Sequence, residues 1–207
     1  MQQDKKQMEE SREVIRNIKK ELRLFMNGVT SFQQRKLGME YNIIFGVSIP
    51  HLKEIAMKFP KDYDVAATLW KENIRESKLL AILLLPEEYY EEVAERWITE
   101  CRYRENADHL AHNILCKLPC ALERALVWAC SKEELCCYCG YMTLSHLFRA
   151  GDTLSPEQEK IYFATAATHI NMQHACKAQA LNSLLLYCGK DKEKAGRYNA
   201  AAGKELL

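Results

Sequence analysis

The amino-acid sequence predicts an all-α fold made of antiparallel helix pairs. Apolar residues recur at spacings of three and four positions along most of the 207-residue chain, which is the period of amphipathic helices. The alternation of apolar and polar residues that indicates strands is almost absent. The eight glycines and five prolines are few, and many of them separate one periodic segment from the next.

Two helices are predicted near the N-terminus. The first covers residues 4–27 and is expected to end at Asn27 and Gly28, because both residue types commonly terminate helices. A shorter helix covers residues 31–37. Residues 41–50 are expected to form a loop that leads into the next helix, which would begin with a proline in its first turn.

Four helix pairs follow this loop. Their predicted ranges are 63–71 with 74–85, 87–101 with 105–117, 120–130 with 132–149, and 156–170 with 173–189. A single helix hairpin cannot bury its apolar face alone, so consecutive hairpins must stack side by side. This arrangement is typical of HEAT- and armadillo-like proteins and predicts a right-handed superhelix. We therefore expect one helical-repeat domain over residues 1–207, with N-terminal helices in 1–40, helix-pair repeats in 41–189 and a tail helix in 190–207.

Three segments carry the sequence signals of a helix start. Asp62 can cap the first helix of the first pair. Ser131 with Glu134, and Ser155 with Gln158, have the spacing of a capping box, in which two side chains reciprocally satisfy free backbone N–H groups.

The predicted helices differ in where their apolar residues point. Residues 74–85 are apolar on nearly every side, so this helix should lie inside the stack. Residues 87–96 contain five glutamates, so the outer face of that helix should point to solvent and away from any nucleic acid. The three tryptophans fall late in the first helix of successive pairs and are interpreted as core residues, at positions 70, 97 and 128.

The charge of the chain is close to balanced but is unevenly distributed. The formal net charge is +1, with balances of +4 over residues 1–60, −5 over 61–110 and +2 over 111–207. A basic surface is compatible with these values but is not established by them. No apolar stretch is long enough to cross a membrane, and the N-terminus lacks the apolar segment of an export signal. We therefore expect a cytoplasmic location, no membrane contact and a monomer.

The nine cysteines are expected to be reduced thiols, because their number is odd and no export signal is present. Cys136 and Cys139 form a C-x-x-C motif, which could hold zinc or carry out redox chemistry. A second such motif is missing, so we interpret these cysteines as small core residues. Neither a metal nor a cofactor is predicted.

The helix predicted over residues 105–117 raises the question of a functional site. Its core stripe is apolar, yet Asp108 and His112 stand one turn apart beside that stripe, and Cys116 continues their line. The first two could form a stabilising i, i+4 contact. The three residues together could bind a metal, or Asp108 could be a carboxylate that acts on a substrate. The residues alone favour the structural contact.

Three segments of the chain form an ordered set of motifs. They are FGVSIPHLKEIA at 45–56, LWKENIRESKLLA at 69–81, and the W-x10-D spacing from Trp97 to Asp108. Together they resemble the DNA alkylation repair family of AlkD-like, HEAT-like repeat DNA glycosylases, over about residues 41–190. The resemblance implies binding of double-stranded DNA that contains alkylated bases. It also implies excision of N-alkylated purines by hydrolysis of the glycosidic bond, with Asp108 stabilising an oxocarbenium-like sugar.

The sequence also departs from the family pattern. Arg104 and Ser183 stand where the family has tryptophan, and residues 138–141 read YCGY where the family often has a basic residue. Two alternatives to a glycosylase therefore stay open, a non-catalytic DNA- or lesion-binding protein and a protein-interaction scaffold. Four basic residues are candidate DNA contacts by their positions: Lys53, Arg75, Arg104 and Lys177.

Overall fold

The structure is a computed structural model that describes residues 2–172, 174–189 and 191–203, with side chains described from Lys6 onward. The chain divides into two compact units, Met1–Tyr90 and Glu91–Leu207, and each buries its own set of apolar side chains. The described residues form twelve α-helices: α1 (Gln2–Leu24), α2 (Gly28–Lys36), α3 (Ile49–Ala56), α4 (Tyr63–Lys71), α5 (Arg75–Leu84), α6 (Tyr90–Thr99), α7 (Arg104–Asn113), α8 (Ala121–Ala129), α9 (Glu134–Ala150), α10 (Pro156–Asn171), α11 (Lys177–Cys188) and α12 (Lys192–Ala202).

The all-α prediction is confirmed, and the four predicted pairs correspond to α4 with α5, α6 with α7, α8 with α9, and α10 with α11. Short 3-10 turns at Glu87–Tyr89 and Leu115–Lys117 replace the predicted ends of two of these helices. The predicted tail helix is α12. Positions 1, 173, 190 and 204–207, which belong to predicted ranges, lie outside the described residues.

In the first unit, α1 lies against α3 and α4, and α5 packs on both α3 and α4. Eight of the ten residues of α5 are buried, so the prediction that this helix lies inside is confirmed. Each fully buried aliphatic side chain contributes about 1.5–3 kcal/mol through its removal from water. The fully buried side chains of this core include Ile18, Leu22, Leu52, Ile55, Leu69, Leu79, Leu80 and Ile82.

The connection between α1 and α2 differs from the prediction. The first helix ends at Leu24, and Asn27 is the N-cap of α2 rather than a terminator of α1. The Oδ1 atom of Asn27 accepts the backbone N–H of Thr30 at 3.0 Å. Asparagine suits either end of a helix, so the type of residue alone did not decide between them.

A buried carboxylate fixes the loop before α3. Glu76 accepts backbone N–H groups from Phe45 and Gly46 at 2.9 Å each and from Val47 at 3.3 Å. The neighbouring Arg75 donates to the same carboxylate at 2.9 Å. Because Glu76 is fully buried, these donors are what makes its charge tolerable there.

In the second unit, α9 is the central helix, and α7, α8 and α11 pack against it. α10 packs on α11 and α12. The core interpretation of the tryptophans is confirmed, since Trp97 and Trp128 are buried here and Trp70 is buried in the first unit. The glutamates of α6 are exposed, as predicted for an outer face.

Two of the three predicted caps are confirmed. Asp62 accepts the third backbone N–H of its helix at 2.8 Å, and Ser155 with Gln158 forms a complete capping box. The box predicted at Ser131 is wrong. Its hydroxyl accepts the N–H of Glu133 at 3.1 Å, and the helix begins only after that turn.

All nine cysteines are free thiols. Cys139 is buried and Cys136 half-buried, so both pack in or beside the core, as the preferred interpretation of the C-x-x-C motif predicts. Among the described helices, none combines the length and apolar character needed to cross a bilayer.

Candidate active site around Asp108

Asp108 lies on α7, on the side that packs against α9, and its side chain is half-buried. The hydroxyl of Tyr138, on the second turn of α9, donates a hydrogen bond to Oδ1 of Asp108 at 2.8 Å. Within the described residues, this is the hydrogen bond that the carboxylate accepts. Its second oxygen is therefore available to a bound molecule.

Arg104 lies one helical turn before Asp108. Its guanidinium carbon is 5.3 Å from the centre of the Tyr138 ring, within the range of a cation–π contact. The same guanidinium forms a 2.8 Å ion pair with Glu134 and donates to the backbone carbonyl of Ala175 at 3.3 Å. The Arg104 side chain is still 48% exposed, so the group can also reach a ligand in solvent.

Burial raises the pKa of Asp108 above its ordinary value. The hydrogen bond from Tyr138 and the nearby charges of His109 and Arg104 act in the opposite direction, and Glu105 adds to the raising effect. The pKa of Tyr138 is raised by burial and by its bond to Asp108, so the phenol remains a protonated donor. The result is a partly desolvated carboxylate held in place by a neutral hydroxyl.

This arrangement suits one kind of chemistry. A carboxylate that has lost part of its hydration stabilises a developing positive charge more strongly than a fully solvated one, because little water is left to screen it. Since the protein already holds that carboxylate in position, no reorganisation is needed when the charge appears.

Lys177 is the first residue of α11 and is partly exposed. It follows Ala175, whose carbonyl accepts from Arg104, by two residues. The second unit thus brings Asp108, Arg104 and Tyr138 to one region, and Lys177 lies two residues beyond a backbone contact of Arg104. Lys53 lies on the exposed surface of α3 in the first unit.

The interpretation of Arg75 as a DNA contact is corrected. Its side chain is 2% exposed in the first unit, and it donates to the carbonyl of Val47 at 3.0 Å as well as to Glu76. A guanidinium that satisfies internal acceptors in this way cannot reach a phosphate on the surface. The R-E step of the motif stabilises the loop before α3.

Ser183, which stands where the family has a tryptophan, is fully buried in the second unit. Its hydroxyl lies 2.7 Å from that of Tyr162 and donates to the carbonyl of Ala180 at 2.9 Å. The residue therefore belongs to the packing between α10 and α11.

Tyr138 is the functional candidate that the sequence did not reveal as one. It was noted only within YCGY, as a place without the family's basic residue. Two signals pointed to it, namely its position one turn after Glu134 on a helix predicted to pair with its neighbours, and its hydroxyl, which needs a partner when buried.

The metal interpretation of Asp108, His112 and Cys116 gains no support. The Cys116 thiol donates to the backbone carbonyl of His112 at 3.1 Å, and the His112 ring lies 4.8 Å from that of His146. In the part of the chain that the structure describes, these three side chains do not bring their ligand atoms together.

A pocket of about 580 Å³ lies beside α10 and α12, away from these residues. Its lining includes Phe163, Tyr187 and Arg197. None of the candidate DNA contacts lines it, and neither does Asp108. We therefore place the candidate site at Asp108.

Helix pairs of this kind place the protein in the class of HEAT-like repeat proteins. Residues 13–198 match the family of DNA alkylation repair enzymes. The match extends over most of the chain, so the protein belongs to that family, as the motifs predicted. No curated protein matches the chain.

A solved structure supports the same fold. It is described as a member of a new family of proteins related to the HEAT-like repeat DNA glycosylases, with affinity for branched DNA structures. The two chains are 18% identical, with a TM-score of 0.75, and the similarity covers 91% of this chain and 83% of the other. At this identity the similarity establishes the fold and not the activity.

Proposed function

We propose that this protein is an alkylpurine DNA glycosylase, which binds double-stranded DNA and hydrolyses the glycosidic bond of N-alkylated purines. Membership of the DNA alkylation repair enzyme family supports the context of repair. The observation that carries the proposal is the half-buried carboxylate of Asp108, which Tyr138 holds at 2.8 Å beside the exposed guanidinium of Arg104.

The chemistry needs little more than such a carboxylate. A purine alkylated on a ring nitrogen is cationic, so the C1′–N bond can break with its electron pair passing to the base, which becomes neutral. Positive charge then develops on the sugar, where the free oxygen of Asp108 stabilises it. Water adds to C1′ and loses its proton to the same carboxylate.

Arg104 and Lys177 would serve binding rather than bond cleavage. Arg104 is exposed and Lys177 is partly exposed, and an arginine or lysine that neutralises a phosphate releases counterions from DNA. Affinity should therefore fall steeply as salt is raised. Lys53, which is exposed on the first unit, is a further candidate phosphate contact.

The direct test is base release from methylated duplex DNA, with 7-methylguanine and 3-methyladenine quantified by mass spectrometry. The wild-type protein should release one or both, and Asp108→Asn should reduce the rate by at least about 100-fold. Asp152→Asn, which changes an exposed aspartate of the same unit, should leave the rate unchanged. Equal release by wild type and Asp108→Asn would remove Asp108 from the reaction.

A second candidate function is DNA binding without base excision. Two observations favour it, since Arg104 replaces one family tryptophan and the buried Ser183 provides no surface aromatic in place of the other. The structurally similar protein, moreover, has affinity for branched DNA. Salt-sensitive binding to a four-way junction or a duplex, with no base released, would establish this function. Failure to bind either DNA at low salt would favour a protein-interaction scaffold.

A further inference from the structure

A cluster of cysteine and histidine side chains lies in the second unit, outside the candidate active site. Cys137 belongs to α9, His169 to the last turn of α10, and His174 to the turn between α10 and α11. Their ligand atoms all lie within 4.8 Å of one another. Cys176, the N-cap of α11, follows His174 by two residues, and its thiol lies 3.5 Å from the backbone carbonyl of Glu134 on α9, the helix that carries Cys137.

We propose that these four side chains bind one Zn²⁺ ion. Two thiolates and two imidazoles form a Cys2His2 set, the kind of nitrogen and sulfur donor set that zinc prefers in structural sites. Three of the donors lie close together in sequence, as H-x4-H-x-C from His169 to Cys176, and the fourth comes from a neighbouring helix. The proposal does not depend on the glycosylase activity.

The C-x-x-C motif consists of Cys136 and Cys139, whereas the thiol of the proposed site on α9 is that of Cys137. Cys139 is fully buried in the core, while the thiol of Cys137 lies 3.9 Å from Nδ1 of His169 at the end of α10. Two residues along a helix correspond to a rotation of about 200°, so the side chains of Cys137 and Cys139 point to different sides of α9.

Existing contacts already orient part of the cluster. The hydroxyl of Tyr141 lies 2.8 Å from Nδ1 of His169, and the thiol of Cys137 lies 3.9 Å from the same nitrogen. With Tyr141 holding Nδ1, the Nε2 atom of His169 would bind the metal, and the tyrosine would act as the outer-shell partner that metal-binding histidines usually have.

Metal binding also requires a local adjustment. The rings of His169 and His174 are stacked, 4.2 Å apart and within 19° of parallel, and Nδ1 of His174 accepts the backbone N–H of Cys176 at 3.1 Å. Zinc–nitrogen and zinc–sulfur bonds of about 2.0–2.3 Å would draw the donors together by roughly an ångström. A ring nitrogen of His174 already lies within 4.8 Å of the other two ligand atoms, so the adjustment shortens separations that exist.

The site would connect zinc to the region of Asp108. The backbone carbonyl of Ala175 accepts from Arg104, and the thiol of Cys176 lies 3.5 Å from the carbonyl of Glu134, the ion-pair partner of Arg104. A metal that holds His174 and Cys176 to α9 would therefore fix the turn that positions Arg104.

The test uses the full chain, purified with a reductant and without chelator. Elemental analysis should find one zinc per chain, and Co²⁺ added to metal-free protein should give the absorption bands of tetrahedral thiolate coordination. His174→Ala and Cys176→Ser should weaken zinc binding by at least about 100-fold. The matched variants His112→Ala and Cys120→Ser, both on exposed residues outside the cluster, should bind zinc as the wild type does.

Three results would overturn the proposal. They are no zinc bound by reduced wild-type protein, zinc binding that His174→Ala and Cys176→Ser leave unchanged, and a disulfide between Cys137 and Cys176 in the protein as isolated. The Co²⁺ spectrum of the wild type does not depend on the variants, so it decides the question even if a variant fails to fold.

Discussion

The carboxylate of Glu76 accepts the backbone N–H of Gly46 at 2.9 Å, across 30 positions of sequence. Gly46 belongs to the first motif that indicated the family and Glu76 to the second. The two motifs are therefore in contact, and their shared task within the first unit is structural. This contact supports two predictions on stability, each with a residue of the same type in the same unit as its control.

Replacing Glu76 with glutamine should destabilise the protein by about 3–5 kcal/mol, because it removes a buried charge that the guanidinium of Arg75 and three backbone N–H groups bind. Urea denaturation followed by circular dichroism measures the change. Glu54→Gln removes the same charge from an exposed position on α3 and should alter stability by less than about 0.5 kcal/mol. Equal effects of the two substitutions would refute the structural role of Glu76.

Replacing Gly46 with alanine should be at least as damaging. The residue has a φ of +74°, and an added Cβ would lie 2.2 Å from the carbonyl oxygen of Asn27 and 2.8 Å from the nitrogen of Ser31. Both neighbours are backbone atoms, so neither can move aside cheaply. Gly28, the first residue of α2, has open space around it, and Gly28→Ala should leave the melting temperature unchanged or raise it. A folded Gly46→Ala protein with wild-type stability would contradict this account.

The helices could be predicted from sequence because a period of 3.6 residues is a local property. What each polar side chain does depends on partners that the pattern does not reveal. Arg75 was taken for a DNA contact because its charge suits phosphate, yet its guanidinium donates to the carbonyl of Val47, 28 residues earlier, and to Glu76. Tyr138 gained its interest only from the placement of α7 beside α9. Ser131 and Ser155 have similar sequence signals, but only the helix that follows Ser155 begins where its box requires.

Asp108→Asn should separate activity from stability. The folded-state pKa of Asp108 is raised, so the folded protein binds the carboxyl proton more tightly than the unfolded chain does. Stability therefore falls as the pH rises from the unfolded-state pKa to the folded-state pKa of Asp108. At neutral pH the ionised side chain of Asp108 thus destabilises the folded protein. The asparagine variant, whose carbonyl can still accept from Tyr138, should melt at the wild-type temperature or up to about 2 °C higher.

That difference should shrink as the pH is lowered toward the ordinary aspartate range, where the wild-type carboxyl becomes protonated too. Differential scanning calorimetry over several pH values provides the measurement, with Asp152→Asn as the control for the loss of one charge. A marked destabilisation by Asp108→Asn at neutral pH would instead make the residue a structural one.

Tyr138→Phe should shift the pH dependence of base excision. The hydrogen bond from Tyr138 favours the ionised carboxylate, so its removal should raise the pKa of Asp108 further, against a background set by His109, Glu105 and Arg104. If the ionised form is the active one, the acid limb of the excision rate moves to higher pH. Rates on methylated duplex from about pH 5 to 8 would show this.

Tyr187→Phe is a suitable comparison for that experiment. Tyr187 also donates to a carboxylate, that of Glu159 at 2.7 Å, in the same unit but away from Asp108. Its profile should coincide with that of the wild type. If Tyr138→Phe lowers the excision rate at every pH without moving the acid limb, the tyrosine orients Asp108 or the substrate and does not set the protonation state of Asp108.

Glu134→Gln should strengthen DNA binding. Glu134 holds Arg104 in an ion pair in which both side chains are about half exposed, and such pairs contribute about 0–1 kcal/mol, so a phosphate has to compete with only a small energy. Without its partner charge Arg104 is free to contact a phosphate, and the affinity for duplex DNA should rise about two- to fivefold at moderate salt. The slope of log K against log salt should steepen by up to about 0.9, the value for one added phosphate contact.

Glu133→Gln makes the same change in net charge one residue away, where no ion pair to Arg104 is formed within the described structure. If Arg104 contacts DNA, only Glu134→Gln should steepen the salt dependence of binding. The gain in affinity should vanish when Arg104→Ala is added to Glu134→Gln. Equal gains in affinity for Glu133→Gln and Glu134→Gln would show a non-specific effect of net charge.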